Sequence, residues 1–426
     1  MQEFSLVRLL YIFFLKLVNC LFKKRSKTLL FYPNINCLYD KYDIINYHSD
    51  NVLCLLNYII SRRQFEGYEI YLVYYNKERL NEYILRCNNS NNFFHFIYYA
   101  NKWDLYKAFF RSKIVFVDNI YVRFYYKLRS QIVVCLGYYM APYKDDYYRI
   151  KELIANNKER QYSKYINKSF DYYITTSDIC SRFLSNDTCL NLSKFLSLGF
   201  PRNDIFYEEN IILREKLCKT LGRLPRYIIC YAPTHRDYEN SNRSFYNEEF
   251  IHKRSLFGYT DSSYDNLLDL LLNEIDAVIV AKIHPFQVKN NLIDNKSKRI
   301  VFYHDLEKVM DINLQLILQS SDILITDYST TCYDFLNLDK PIIYYTYDEN
   351  IYLNNRGLFI DPIKPLNAGE TINTMDELLF TIRKILNGDD LYKMKRKFVK
   401  ELLDKNCDGF SSCRIADYFL NKRFEC

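Results

Sequence analysis

Short apolar runs separated by helix-period segments mark most of this chain. TLLFYP (Thr28 to Pro33), EIYLVYY (Glu69 to Tyr75), KIVFVD (Lys113 to Asp118), QIVVCL (Gln131 to Leu136), DYYITTS (Asp171 to Ser177) and FLSLG (Phe195 to Gly199) have strand length and strand composition. They lack strict alternation, as parallel strands buried on both faces do. Helical patterns such as Val52 to Arg63 lie between them. A second series starts with RYIICYAPT (Arg226 to Thr234) and continues through AVIVAKIHP (Ala277 to Pro285), RIVFY (Arg299 to Tyr303), ILITD (Ile323 to Asp327) and PIIYY (Pro341 to Tyr345). The polar, weakly patterned stretch Asn203 to Pro225 reads as an inter-domain connection. The pattern predicts an α/β protein with two doubly wound, Rossmann-like domains facing a central cleft. The expected boundaries are 27–206 for the first domain and 207–390 for the second, with C-terminal helices over 391–426 that cross back to the first.

The first 26 residues follow a different pattern. Between Phe4 and Phe22 the residues are largely Leu, Ile, Phe and Val, and at helical spacing Ser5, Arg8, Lys16 and Asn19 fall in one narrow sector. A KKRSK patch follows. Residues 1 to 30 hold six basic side chains against Glu3, or 6 − 1 = +5 of the chain's net +7. That concentration predicts an amphipathic helix lying on an anionic membrane surface, the alternative being a helix docked on the protein body. The remaining chain is nearly neutral, which argues against a nucleic-acid partner.

Composition narrows the class further. A length of 426 residues suits two or three domains, and 49% apolar content with 26% charge suits packed, soluble cores. The 42 Tyr and 30 Phe accompany abundant Asn, Ile and Lys, a bias of the whole chain and not of one surface. The 13 Cys form no CxxC pair or His/Cys cluster, so neither a zinc site nor a disulfide framework is expected. No charge-free run reaches the ~20 residues that span a bilayer, and no cleavable signal peptide is recognisable. The expected location is the cytoplasmic face of the cell membrane.

Candidate chemistry gathers at strand ends. Ser321 to Tyr345 reads as strand, hydroxyl-rich turn, helix, strand: the run ending at Asp327 is followed by Tyr328, Ser329, Thr330 and Thr331, which open a helix whose apolar residues are Tyr333, Phe335, Leu336 and Leu338. Backbone N–H groups at such a start favour an anion, and small hydroxyls add donors; equally, the same residues serve as ordinary helix caps. GFPRND places Arg202 after a Pro-fixed bend. YAPTHRD puts Thr234, His235 and Arg236 at one strand end, and KIHP puts Lys282 and His284 at another. Together these would form a cationic floor for a diphosphate.

GFPRND, YAPTHRD, KIHP and SDILITDYSTTCYDFLNLDKP, in this order, resemble the CDP-glycerol glycerophosphotransferases, the teichoic-acid primases and polymerases. RGLFIDP, AGETINTMDEL, DGFSSCRIADYF and, more loosely, SDN at Ser49 to Asn51 agree. The resemblance covers most of residues 28 to 420. It implies a GT-B-type fold whose second domain binds the CDP portion of CDP-glycerol through Thr234, Arg236, Lys282, His284, Asp327, Ser329 and Thr330. An acceptor hydroxyl, held near Arg202 and Lys144 on a lipid-linked glycan or polymer, would attack the β-phosphorus and release CMP. No cofactor is implied, and no DxD-type carboxylate pair suggests a metal.

One departure bears on catalysis. The family's first domain carries a Trp-His-Gly turn whose His is the favoured base, and in VCLGYYMAPYK (Val134 to Lys144) Leu136 stands in its place. An alkyl group accepts no proton. Three explanations remain open: a base from elsewhere, with His48, Asp50 and Asp145 as candidates and His284 on the donor side; a rebuilt acceptor site, as in a capsule or surface-glycan transferase; or a nucleotide-binding partner without catalysis. A GT-B glycosyltransferase using a nucleotide sugar is a further alternative.

Overall fold

The computed structural model describes residues 27–33, 51–62, 65–74, 92–118, 130–137, 169–188, 190–208, 224–234, 256–259, 263–283, 297–309, 312–355 and 366–421, with a few isolated residues between these segments. The 1–26 segment, all but one residue, lies outside them, as do His48, Asp50, Lys144, Asp145, His235, Arg236 and His284. The chain divides into two compact units. Residues 1–138, 156–204 and 410–426 form the first; residues 139–155 and 205–409 form the second.

The first unit is built on β1 (Thr28–Tyr32), β2 (Glu69–Tyr74), β3 (Phe93–Tyr98), β4 (Ile114–Val117), β5 (Ile132–Cys135), β6 (Tyr172–Thr175) and β7 (Phe195–Ser197). All pair in parallel, in the spatial order β3-β2-β1-β4-β5-β6-β7. Helices α1 (Asn51–Ile60), α2 (Lys102–Arg111) and α3 (Asp178–Thr188) lie between strands in the chain. Helix α1 buries Val52, Leu55, Leu56 and Ile59, the i, i+3, i+4, i+7 set of a single apolar face. Helix α2 starts where the Asn101 side chain accepts the Asp104 N–H (3.3 Å).

The C-terminal tail belongs to this same core. The Phe419 ring meets Phe116 of β4 edge-on at 6.0 Å and packs against Tyr172 of β6. Asp204 fixes the entry of the tail. Its carboxylate accepts the N–H groups of Ser411 (2.9 Å) and Ser412 (2.8 Å) at the start of the Ser411–Ala416 helix, where a negative charge offsets the helix dipole. Burial pushes this carboxyl upward in pKa, and the hydrogen bonds from Ser412 and Ser411 oppose the shift.

The second unit repeats the arrangement with β8 (Tyr227–Tyr231), β9 (Ala277–Ala281), β10 (Ile300–Phe302), β11 (Ile323–Thr326), β12 (Ile342–Tyr345) and β13 (Glu370–Ile372), in the order β10-β9-β8-β11-β12-β13. Its helices include α4 (Ser263–Glu274), α5 (Leu314–Ser320), α6 (Thr331–Phe335), α7 (Met375–Leu386) and α8 (Lys393–Leu403). Helix α7 opens with a full capping box, Thr374 and Glu377 each bonding the other's backbone N–H. No helix among the described residues is long and apolar enough to cross a membrane.

Every strand read from the sequence is present. Two strands are additional, β3 and β13, and both sit at sheet edges. The helix expected to run to Leu338 is shorter: α6 tightens into a 3-10 turn over Leu336–Leu338 and stops at Asp339, whose φ of 49° is left-handed. Asp339 holds this conformation against Arg396 of α8, whose guanidinium is buried. Arg396 donates to Asp339 Oδ1 and O (both 3.3 Å) and, through two parallel bonds of 2.8 and 2.5 Å, to Asp390. The next residue, Lys340, donates to the carbonyls of Gln319 (2.8 Å) and Ser321 (2.6 Å). The LDKP part of the motif therefore shapes the βαβ unit and does not carry chemistry.

The hydrogen bond from Arg396 holds the Asp390 carboxyl below its usual value of 3.8. A carboxylate with a depressed folded pKa adds stability that is present above the unfolded value and is lost as pH falls through the folded one. Arg396→Met is expected to cost about 2 kcal/mol near neutral pH, less than for a fully buried pair because both acids reach solvent. It should also flatten the acid limb of the stability curve, as thermal melts between pH 7 and pH 3 would show.

Candidate functional site

In a doubly wound sheet the helices before and after the reversal of strand order lie on opposite faces, which opens a crevice at the carboxyl ends of the two central strands. In the second unit that crevice falls between β8 and β11, and two of the sequence motifs end there. YAPT follows β8 and TDYST follows β11. Their main chains stay paired past the strand ends: the Ala232 N–H donates to Ile325 O (2.9 Å), and Thr326 Oγ1 donates to Ala232 O (2.8 Å). Asp327 then accepts both the N–H and the Oγ1 hydroxyl of Thr234 on one carboxylate oxygen, each at 2.7 Å, and the same oxygen accepts the Tyr328 N–H. Asp327 is 2% exposed, so its charge serves to fix the YAPT loop. Tyr328 is locked behind it, stacked on Tyr352 at 3.8 Å.

The turn beyond is more open. Ser329, Thr330 and Thr331 are half-buried. Ser329 caps the short helix α6: its Oγ accepts the Thr331 N–H (3.4 Å) and donates to Thr331 Oγ1 (3.0 Å). Thr330 makes no capping bond with its side chain. Its hydroxyl is therefore not used by the helix, whereas the N–H groups of Tyr328, Thr331, Cys332 and Tyr333 are bonded within the turn. Lys282 stands at the end of β9, the neighbour of β8, where its N–H donates to Tyr231 O (2.7 Å). Its charge opposes the burial that pushes the Cys230 thiol up to about 12. Thr234, Lys282, Asp327, Ser329 and Thr330 thus share one end of one sheet, on the adjacent strands β9, β8 and β11. Arg236 and His284 follow the same strand ends in the chain but lie outside the described residues.

In the first unit the corresponding work falls to Asn51, which is fully buried. Its Nδ2 donates to Gly137 O (2.8 Å) and Leu136 O (3.3 Å), and its Oδ1 accepts the Arg202 N–H (3.1 Å). One amide side chain thereby ties the start of α1, the turn after β5 and the GFPRND turn. Gly137 is obligatory in this arrangement. Its φ is +87°, and a Cβ there would lie 2.5 Å from the Phe200 ring. The Arg202 guanidinium lies over that ring, 5.0 Å from its centre. Asn51 was legible in the sequence only as the last residue of SDN; its partners lie 85 to 151 residues away, beyond any local pattern.

Leu136, where the family's histidine would fall, is fully buried in the core of the first unit, with its N–H bonded to Val117 O (2.8 Å). Nothing polar is available at that position. The other proposed bases, His48, Asp50 and Asp145, and the acceptor-side Lys144 lie outside the described residues.

Two parallel sheets, each reversing strand order once, define the chain as a protein of two Rossmann-like units, of the GT-B type. The wall teichoic acid polymerase TagF has this fold: its structure superposes with a TM-score of 0.68 over 93% of this chain and 89% of that one, at 18% identity. A form of TagF soaked with CDPG superposes equally, with a TM-score of 0.67. The family model described as CDP-glycerol:poly(glycerophosphate) glycerophosphotransferase matches residues 36–421, and the chain belongs to that family. A teichoic acid glycerol-phosphate primase of Bacillus subtilis (strain 168) is 26% identical over 317 residues, 73% of this chain and 74% of the primase. A teichoic acid poly(glycerol phosphate) polymerase of Bacillus spizizenii is 31% identical over 236 residues, but that match spans only 53% of either protein.

Asn51→Ala leaves two carbonyl oxygens and one N–H without their buried partner. We expect a loss of about 2–3 kcal/mol in denaturant unfolding. Asn51→Asp should cost at least as much, because the new carboxylate oxygen faces the two carbonyls that Nδ2 now satisfies.

Proposed function

We propose that the chain transfers glycerol phosphate, or a related phosphopolyol, from a CDP-activated donor to a hydroxyl of a membrane-associated glycan or polymer, releasing CMP. The observation that carries this reading is the junction of Thr234 and Asp327 at the β8/β11 crevice, beside the hydroxyls of Ser329 and Thr330 and next to the strand end that bears Lys282. Membership of the glycerophosphotransferase family and the likeness to a polymerase soaked with CDPG support the same donor.

In this reading the donor diphosphate sits on the 329–331 turn, with Lys282, Arg236 and His284 neutralising its charge. The acceptor oxygen attacks the β-phosphorus, the bond from that phosphorus to the CMP oxygen breaks, and a phosphodiester forms. The hydroxyl proton passes to a base, for which His48 and Asp50 of the first unit and Asp145 of the second are the candidates. Positioning and charge neutralisation supply most of the rate in such transfers. The basic amphipathic segment 1–26 would hold the enzyme at the cytoplasmic face of the membrane, where a lipid-linked acceptor lies.

The burial of Leu136 favours a second reading, a chain that keeps the nucleotide site without catalysing transfer. The two readings part on one measurement. Incubated with CDP-glycerol and a lipid carrying a terminal glycerol phosphate, a transferase releases CMP in step with acceptor extension, while a binding partner releases none. Both predict that CDP raises the melting temperature more than UDP or GDP does. The double variant Ser329→Ala/Thr330→Ala is expected to bind CDP about tenfold more weakly, for the loss of hydroxyl donors to a charged group, while its own stability without nucleotide falls by only about 1 kcal/mol, for the loss of the Ser329 cap. A larger shift with UDP than with CDP would overturn the donor assignment.

A further inference from the structure

Helix α8 and the residue that leads into it carry a surface that the proposed reaction does not use. Leu391, Met394 and Phe398 are 73%, 76% and 63% exposed. Met394 and Phe398 lie one turn apart, on the side of the helix opposite Arg396, Val399 and Leu403, which are buried. Lysines flank this apolar strip. Lys393 and Lys397 are exposed on one side; Lys395, on the other, is half-buried with its ammonium 5.9 Å from the Tyr392 ring, and burial lowers its pKa. Lys405 is exposed past the C-terminal end of the helix. The exposed acids in this region are Glu401 on the helix and Asp389 and Asp408 beyond its ends. Asp390 is held by Arg396.

A solvated helix places charged residues at the centre of its outer face. Here α8 places Met394 and Phe398 there, with Glu401 one turn beyond them on the same strip and the lysines on both flanks, close to the distribution of a helix lying in a headgroup layer, where alkyl stems and rings reach the acyl boundary and ammonium groups stay at phosphate level. A second copy of the chain on this face would bring lysine against lysine. We propose that α8 is a membrane-contact surface, separate from the 1–26 segment, that holds the second unit on an anionic lipid bilayer. The inference stands on the exposure and charge of α8 and does not depend on which reaction the crevice performs.

The test is sedimentation of the full-length chain with vesicles of phosphatidylcholine, alone or mixed with phosphatidylglycerol. Three variants are compared with the parent: Met394→Ser/Phe398→Ser, Lys393→Gln/Lys395→Gln/Lys397→Gln, and Lys23→Gln/Lys24→Gln/Arg25→Gln in the N-terminal patch. Both α8 variants should keep the parent's melting temperature, since the apolar pair is exposed. Each should bind phosphatidylglycerol vesicles more weakly, the triple lysine variant by about fivefold per lysine removed, equivalent to about 1 kcal/mol each. In a Trp103→Phe/Phe398→Trp chain, the single indole should shift to the blue on the same vesicles. Parent-like vesicle binding by both α8 variants, or an unshifted indole, would overturn the proposal and leave the N-terminal patch as the membrane contact. A parent dimer that Met394→Ser/Phe398→Ser converts to monomer without lipid would overturn it in favour of a second copy.

Discussion

A parallel sheet satisfies its backbone along the strands but leaves its carboxyl ends as separate loops, and at the reversal of strand order those loops diverge to opposite faces. Each unit answers this constraint with one buried polar side chain. In the second unit the Asp327 carboxylate receives the YAPT loop through two bonds from Thr234; in the first, the Asn51 amide gathers the turns at Gly137 and Arg202. A charged acceptor suits the first case, where all partners are donors, and an amide suits the second, where two partners are carbonyls and one is an N–H. The residues with candidate chemistry, Ser329, Thr330, Lys282 and Arg202, take their positions from these junctions.

The two units differ in what lies around the junction. The second keeps hydroxyls and a lysine at partly open positions. In the first, the position after β5 holds a leucine sealed in the core. The main chain there is nevertheless retained, with Gly137 in its left-handed turn under the Phe200 ring. The turn is thus set by Gly137 and its bond to Asn51 and not by the side chain that precedes it.

The strands were legible because fully buried parallel strands are short, apolar and bounded by turn residues. The two that escaped notice are edges. In β3 the run FFHFIY interleaves exposed Phe93 and His95 with half-buried neighbours, and β13 is three residues long, so neither offers the pattern of a buried strand. The motif around Asp327 was readable as strand, turn and helix, but its division of labour was not. Asp327 faces inward to hold a loop, Ser329 caps a helix, and Asp339 and Lys340 are structural; those roles depend on partners at Thr234, Arg396 and Gln319 that no local periodicity encodes. Asn51 and Asp204 illustrate the same limit, since a buried polar residue is recognised by what it reaches across the chain.

The contact of Asp204 with Ser411 and Ser412 has a topological consequence. The chain leaves the first unit after residue 204 and re-enters it at residue 410, and these two points are clasped within a hydrogen bond of each other. Apart from residues 139–155, the second unit is therefore an insertion whose ends meet, and the loop it closes adds little entropy cost however long it grows. A segment of this kind can lengthen, shorten or be exchanged for another module without opening the core that receives it. The second unit is, in construction, a replaceable cassette set into the core of the first.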